Sequence, residues 1–356
     1  MIAVGERNPL ADDLDFILES GRPLWEELRG EKLLFTGATG FVGSWMLESF
    51  AWANRALELD ASAVVLTRAP QAFLSRHPHL SDEPSIEFVE GDMLDAPLPR
   101  GRHAFVLHLA TVAPAVPSPE APLGAFEHDV SGMRRMLDFA RSAGTARFLY
   151  TSSGAVYGRI PSELEHCPEE YAGAPSPVDA GGAYANAKRV GEFMGATYAR
   201  QSGFVFALAR LFAFVGPWLP LDEGYAVGNF IADALARRPI AIKGDGTPYR
   251  SYLYAADLAA WLWTVLLRGR SGRPYNVGSS CPVSILELAR RVARATGAGV
   301  PVETALEPVP GAAPSRYVPS TARAESELGL RCTTSLDMAI RKTYDWHRAR
   351  RGEAGG

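Results

Sequence analysis

The chain has 356 residues, 47% of them hydrophobic, and a formal net charge of -4 from 36 Lys and Arg against 40 Asp and Glu. It is long and apolar enough to bury a large core, as one big domain or two interlocked ones. The slight negative balance leaves no basic footprint for nucleic acid or anionic lipid. Three cysteines, Cys167, Cys281 and Cys332, are far apart, odd in number and without metal-ligand spacing, so reduced structural thiols and no metal are expected. No basic segment followed by an apolar core opens the chain, and no apolar run reaches the length of a membrane span, since 261–267 is too short. A soluble cytoplasmic protein is the expectation.

Residues 1–30 hold two acidic amphipathic pieces, 11–19 and 24–28, which read as a packing arm or an oligomer contact; a homodimer is expected. Residues 33–36 form an apolar run of the kind found in buried parallel strands. The run breaks into Thr36-Gly37-Ala38-Thr39-Gly40-Phe41-Val42-Gly43, and 41–53 then carries helical apolar spacing around Trp45, Met46 and Phe50. Strand, glycine turn and helix in that order are the context a dinucleotide site requires. Gly37 and Gly40 permit a tight turn and close backbone approach to a diphosphate. Gly43 lets the helix pack near the strand and present its positive N-terminal end to the phosphates.

Further strands are expected at 63–67, 86–90 and 105–109, followed by a Pro- and Ala-rich loop at 113–122 and a helix at 126–143. The next strand, 148–152, ends in hydroxyl residues, and the carboxyl ends of strands in an open α/β sheet are where ligands sit. Ser153 is therefore a candidate hydrogen-bond donor to a substrate oxygen. A second Pro- and Ala-rich loop at 167–178 is placed to border the substrate. In the helix at 184–201, Tyr184 and Lys188 stand four residues apart and project from one face. An adjacent ammonium favours phenolate and is expected to lower the tyrosine pKa. A final strand falls at 205–211. Alternating strands and helices predict a doubly wound parallel sheet, an α/β Rossmann fold.

Together, Thr36 to Gly43, Thr151 to Gly158 and the Tyr184/Lys188 pair resemble the short-chain dehydrogenase/reductase superfamily, in its extended branch that acts on nucleotide sugars. The resemblance implies a Rossmann domain over 31–215, with 252–280 returning to it, and a smaller substrate lobe from 216–251 and 281–350. Residues 1–30 lie outside that core. It places the catalytic roles on Ser153, Tyr184 and Lys188. Cofactor contacts would come from Gly37, Thr39, Gly40, Phe41, Val42, Gly43, Arg68, Asp92, Met93, Leu109 and Ala110, besides Tyr184 and Lys188. Asp92 would accept from the adenine amine, and 108–111 would run beneath the diphosphate and ribose, with His108 a packed strand histidine rather than a catalyst. In this superfamily an acidic residue at the end of the second strand bonds the NAD ribose. Here that strand ends in Thr67-Arg68, which leans toward NADP, with NAD the alternative. The partner implied is a nucleoside-diphosphate sugar, gripped by Ser153, Asn229 ahead of a helix at 230–236, Arg250 and Arg316.

Two departures bear on the reaction. Dehydratases and decarboxylases of the family generally carry carboxylates just after the catalytic Ser/Thr, where this chain has Gly154 and Ala155. Glu163, Glu165 and Asp179 are the nearby carboxylates, and they read as solvated loop charges. Ala213 stands where relatives often have Asn near the substrate phosphate. The pattern is closer to epimerases and ketoreductases. Epimerisation by hydride transfer at a sugar hydroxyl carbon, C4, ranks narrowly ahead of NADPH-dependent 4-ketoreduction, with 4,6-dehydration or decarboxylation and a non-catalytic dinucleotide-binding protein behind.

Overall fold

A computed structural model describes residues 8–111 and 122–353. The predicted loop at 113–122 lies outside the described residues except for Pro122, which begins a helix. Seven strands build the central sheet: β1 (Lys32–Thr36), β2 (Ser62–Thr67), β3 (Ile86–Glu90), β4 (Phe105–His108), β5 (Arg147–Ser153), β6 (Val205–Leu211) and the later segment Pro274–Val277. All neighbours pair in parallel, in the order Pro274–Val277, β6, β5, β4, β1, β2, β3. From β1 the chain winds outward to β3, then crosses back to β4 and winds the other way. The crevice beyond the carboxyl ends of β1 and β4 is therefore the topological switch point, where such sheets bind ligands.

The helices are α1 (Ala11–Ser20), α2 (Arg22–Trp25), α3 (Phe41–Ala56), α4 (Pro70–Leu74), α5 (Pro122–Ser142), α6 (Ala183–Ser202), α7 (Ala226–Leu235), α8 (Ala255–Arg268), α9 (Ile285–Thr296), α10 (Ala322–Leu328) and α11 (Leu336–Glu353). Helices α5 and α6 cover one face of the sheet around Met133, Leu137, Phe148 and Phe206, while α3 and α8 cover the other around Trp45, Phe50, Trp261 and Trp263. Every predicted strand is present, within a residue of its expected ends. The unpredicted seventh strand, Pro274–Val277, holds Asn276 in its middle, a polar residue that breaks the apolar run expected of a buried strand. That asparagine is fully buried and earns its place by accepting from the Tyr157 hydroxyl at 2.7 Å and donating to Cys167 O at 2.9 Å and Ser320 O at 3.1 Å.

The N-terminal segment is a packing arm on the chain's own core. Leu10, Leu14, Ile17, Leu18, Trp25 and Leu28 are all buried. The Trp25 ring meets Trp263 of α8 at 4.9 Å between centroids, and its Nε1 donates to Leu18 O at 3.1 Å. Asp13 accepts from the Tyr254 hydroxyl at 2.7 Å and from Lys342 Nζ at 2.5 Å, so one carboxylate ties the arm to the residue just ahead of α8 and to α11. Truncating Trp25 empties a buried site that the arm alone fills. Trp25→Ala is expected to cost about 3–5 kcal/mol of folding free energy, read by urea unfolding, whereas a loss within about 0.5 kcal/mol would mark the arm as peripheral.

Candidate active site

A cleft of about 960 Å³ opens at the carboxyl ends of β1, β4 and β5. Its floor is the glycine turn between β1 and α3. Gly37 has φ +72° and packs so tightly on the next strand's exit that a Cβ there would lie 2.4 Å from Ala110 N. A Cβ on Gly43 would lie 2.3 Å from Gly37 O, so these two glycines close the turn on itself and on the sheet. Gly40 differs: its Cβ direction is nearly open, with Gly37 O at 3.6 Å the sole neighbour among the described residues. It is the glycine that leaves room for a diphosphate, beside the free N–H groups of the first turn of α3. This cradle, which side chains would fill, fits a dinucleotide.

At one end of the cleft lie Thr39, Thr67, Arg68, Asp92 and Met93. The Thr67 and Thr39 hydroxyls sit 3.2 Å apart, and Arg68 is exposed. Asp92 accepts from Leu94 N at 2.9 Å and from His128 Nε2 at 3.1 Å. Partial burial works against its charge, yet those hydrogen bonds and the nearby Arg68 guanidinium hold its carboxyl below the usual range. Arg76, which sequence reasoning missed, lines the same wall; it follows a short helix that gives no periodic signal.

At the other end are Ser153, Tyr184 and Lys188. The Ser153 Oγ caps the 3₁₀ turn Gly154–Tyr157 by accepting from Ala155 N at 3.1 Å. Lys188, buried, donates to Thr151 O at 2.8 Å, and its Nζ lies 5.7 Å from the Tyr184 ring centroid. The two side chains do share a face, but the expected lowering of the tyrosine pKa is not what the surroundings produce. Burial pushes the Tyr184 phenol well above its ordinary value, and only the neighbouring Ser153 hydroxyl pulls it down. Burial also brings Lys188 down to about 8, against the pull of Asp129 and Glu192. For both groups desolvation is the largest effect.

Strand parity sorts the two arginines that sequence places together. The short strand Tyr249–Arg250 pairs in parallel with Arg316–Tyr317, register Tyr249↔Arg316 and Arg250↔Tyr317. Alternate residues of a strand face opposite sides, so Arg250 and Tyr317 enter the cleft while Arg316 turns away and stacks over Tyr249 at 4.4 Å. Asn229 is also misplaced by the sequence reading: it lies inside α7, not ahead of it, and the helix presents Ala226 and Val227 to the cleft instead. Tyr317 is the main residue that went unseen. Its hydroxyl, beside that of Ser153, occupies the space above Gly154, where a Cβ would lie 2.6 Å from Tyr317 Oη and 2.8 Å from Phe212 Cζ. The pairing of Tyr317 with Arg250 was the available signal.

Fold and site together define an oxidoreductase-type enzyme built around a nicotinamide dinucleotide. The chain belongs to the NAD dependent epimerase/dehydratase family, whose model matches residues 33–278. It is 29% identical over 338 residues to UDP-glucuronic acid decarboxylase 2 of Arabidopsis thaliana, covering 94% of this chain and 73% of that protein. Its fold matches dTDP-glucose 4,6-dehydratase from Streptomyces venezuelae with NAD bound, at a TM-score of 0.76 and 26% identity over 90% of this chain and 98% of that one. UDP-glucose 4-epimerase of Thermotoga maritima shares the fold at a TM-score of 0.74 and 22% identity, over 90% of this chain and 99% of that one.

His108 is a packed residue, as expected. Its Nδ1 meets Thr36 Oγ1 at 2.7 Å, and burial, with help from the charges of Lys188 and His128, depresses its pKa to about 3. A pKa lowered on folding means the unfolded chain binds more protons in between. The stability His108 contributes by staying neutral is thus present above about pH 6.5 and is lost as pH falls toward 3. Replacing His108 by Gln is expected to flatten the dependence of unfolding free energy on pH over that window; an unchanged slope would assign acid unfolding to other groups.

Proposed function

We propose that this protein transfers hydride to and from a hydroxyl carbon, C4, of a nucleoside-diphosphate sugar, and that the net reaction is epimerisation. Tyr184 exchanges the hydroxyl proton, Ser153 hydrogen-bonds the sugar oxygen, and Lys188 holds the nicotinamide ribose. Arg250 reaches into the cleft to grip the diphosphate, and the lobe from 216–251 and 281–350 covers the sugar. The observation that carries the reading is the filled space over Gly154. The family's proton-moving carboxylates would stand at 154 and 155; position 155, which lines the cleft, is an alanine, and Tyr317 and Phe212 fill the space over Gly154. The remaining chemistry needs hydride transfer and one phenol.

A second reading, NADPH-dependent 4-ketoreduction, is favoured by two features. A buried phenol that keeps its proton is suited to donate it to a forming alkoxide. The cofactor reading supports this direction: Thr67 faces Thr39 where an NAD-selecting carboxylate would stand, and Arg68 and Arg76 line that wall for a 2′-phosphate.

The reactions separate cleanly in one experiment. The protein is incubated with UDP-glucose, UDP-glucuronic acid, dTDP-glucose and the 4-keto sugar dTDP-4-keto-6-deoxyglucose, each with and without NADPH, and the products are identified by mass spectrometry and NMR. A C4 epimer formed without added cofactor supports epimerisation, and NADPH consumed on a 4-keto sugar supports reduction. Rapid formation of a 4-keto-6-deoxy sugar or of a pentose with loss of CO₂ overturns both. Tyr184→Phe is expected to lower kcat by about 10²–10⁴-fold while leaving cofactor affinity unchanged, and near-normal kcat removes Tyr184 from the chemistry.

Arg68→Ala is expected to weaken NADP binding by roughly 1.5–3 kcal/mol with far less effect on NAD, measured by fluorescence titration. Equal losses for both cofactors, or tighter NAD binding by the unaltered protein, overturn the NADP preference.

A further inference from the structure

Behind the cleft wall, Glu48 of α3 meets two histidines from the segment that follows α4. Its Oε1 is 2.9 Å from His77 Nδ1, and its two oxygens are each 2.8 Å from His79 Nε2. The ligating atoms all lie within 4.8 Å of one another, the one such His/Cys/Asp/Glu group among the described residues. Glu48 and His77 are buried, and no lysine or arginine pairs with Glu48 among the described residues. The carboxylate is thus held in the interior by the two imidazoles alone, and burying a charged group with so few partners is costly.

We propose that Glu48, His77 and His79 bind a divalent transition-metal ion of the zinc type. Two imidazole nitrogens and one carboxylate oxygen form a set that suits zinc, with a fourth position left for water. Ligand atoms around tetrahedral zinc stand roughly 3.3 Å apart, so each carboxylate–imidazole contact need open by only about half an ångström, and the two imidazole nitrogens already lie within 4.8 Å of each other. The surroundings fix the ligands as a metal site requires. The His77 ring is sandwiched between Phe73, at 4.1 Å and 22°, and Trp218, at 3.8 Å and 26°. Trp218 is held at φ +72°, a left-handed conformation rare for a bulky residue, and its Nε1 is buried without a hydrogen-bond partner among the described residues. The His79 side chain keeps 26% of its surface exposed and gives the ion its way in. Because Trp218 and Arg76 both line the cleft, an ion here would brace that wall from behind by clamping the 75–80 segment to α3. The role is structural and separate from the hydride chemistry.

The test uses the full chain, dialysed against EDTA with its thiols alkylated, and titrated with zinc chloride by calorimetry and with cobalt(II) by visible absorption. Expected are one ion per chain, a tetrahedral cobalt spectrum, a raised melting temperature and a change in tryptophan fluorescence that disappears in Trp218→Phe. Glu48→Gln should weaken zinc binding by about 100-fold or more. Since Glu48 is buried and its variant can fail to fold, the half-exposed His79→Ala is the second variant, with the same expected loss at an unchanged circular dichroism spectrum. Absence of zinc binding by the unaltered protein overturns the proposal. So does zinc binding that persists undiminished in folded His79→Ala. Either result leaves the reading of the hydride site untouched.

Discussion

The close approach of α6 to the sheet is the constraint from which the reactive geometry follows. Ala187, Gly191 and Gly195 face the strands; a Cβ on Gly191 would lie 2.3 Å from the Tyr150 hydroxyl, and one on Gly195 would lie 2.1 Å from the Phe206 ring. With glycine at 191 and 195, the Tyr150 and Phe206 side chains of the strands reach the backbone of α6 directly. Tyr184, Lys188 and Glu192, spaced by four, then look straight at the strand ends. Lys188 fastens to Thr151 O, while Glu192 accepts from Ser152 Oγ at 2.6 Å and pairs with Arg210 at 2.7 Å. Two buried polar attachments fix the rotation and the axial position of the helix, and Tyr184 is set against Ser153 as a result. Ion pairs of this kind add little net stability but are sensitive to geometry, so they specify position.

The same closeness explains why the local electrostatics oppose the simplest reading of the tyrosine and lysine pair. In water an ammonium four residues away stabilises phenolate. Against the sheet both groups lose solvent, and the penalty falls on each charged form. Tyr184 stays protonated and Lys188 becomes a weaker base, so each sits in its neutral state more readily than in solution.

The sheet was legible in the sequence because buried parallel strands are continuous apolar runs and helices keep a 3.6-residue period. The three motifs fell on strand, turn and helix where their chemistry requires. What escaped was whatever depends on contacts between distant segments. Asn276 disguised a buried strand because its partners lie more than a hundred residues earlier, at Tyr157 and Cys167. Arg316 and Asn229 have other reasons: in a two-residue strand a shift of one position reverses the facing side, which separates Arg316 from Tyr317, and the helix holding Asn229 starts at Ala226 rather than at 230, because element boundaries are coarse in a sequence. Tyr317 could not be seen until its strand was paired with Arg250.

The tyrosine above Gly154 also shapes how this scaffold can change over evolutionary time. A single substitution that installs an acidic side chain at position 154 would collide with Tyr317 and Phe212 before it could assist any reaction. Shrinking Tyr317 first would open a void beside Ser153 with no chemistry to gain from it. Neither step alone is productive, and Phe212 must give way as well, so positions 154, 212 and 317 are coupled rather than additive.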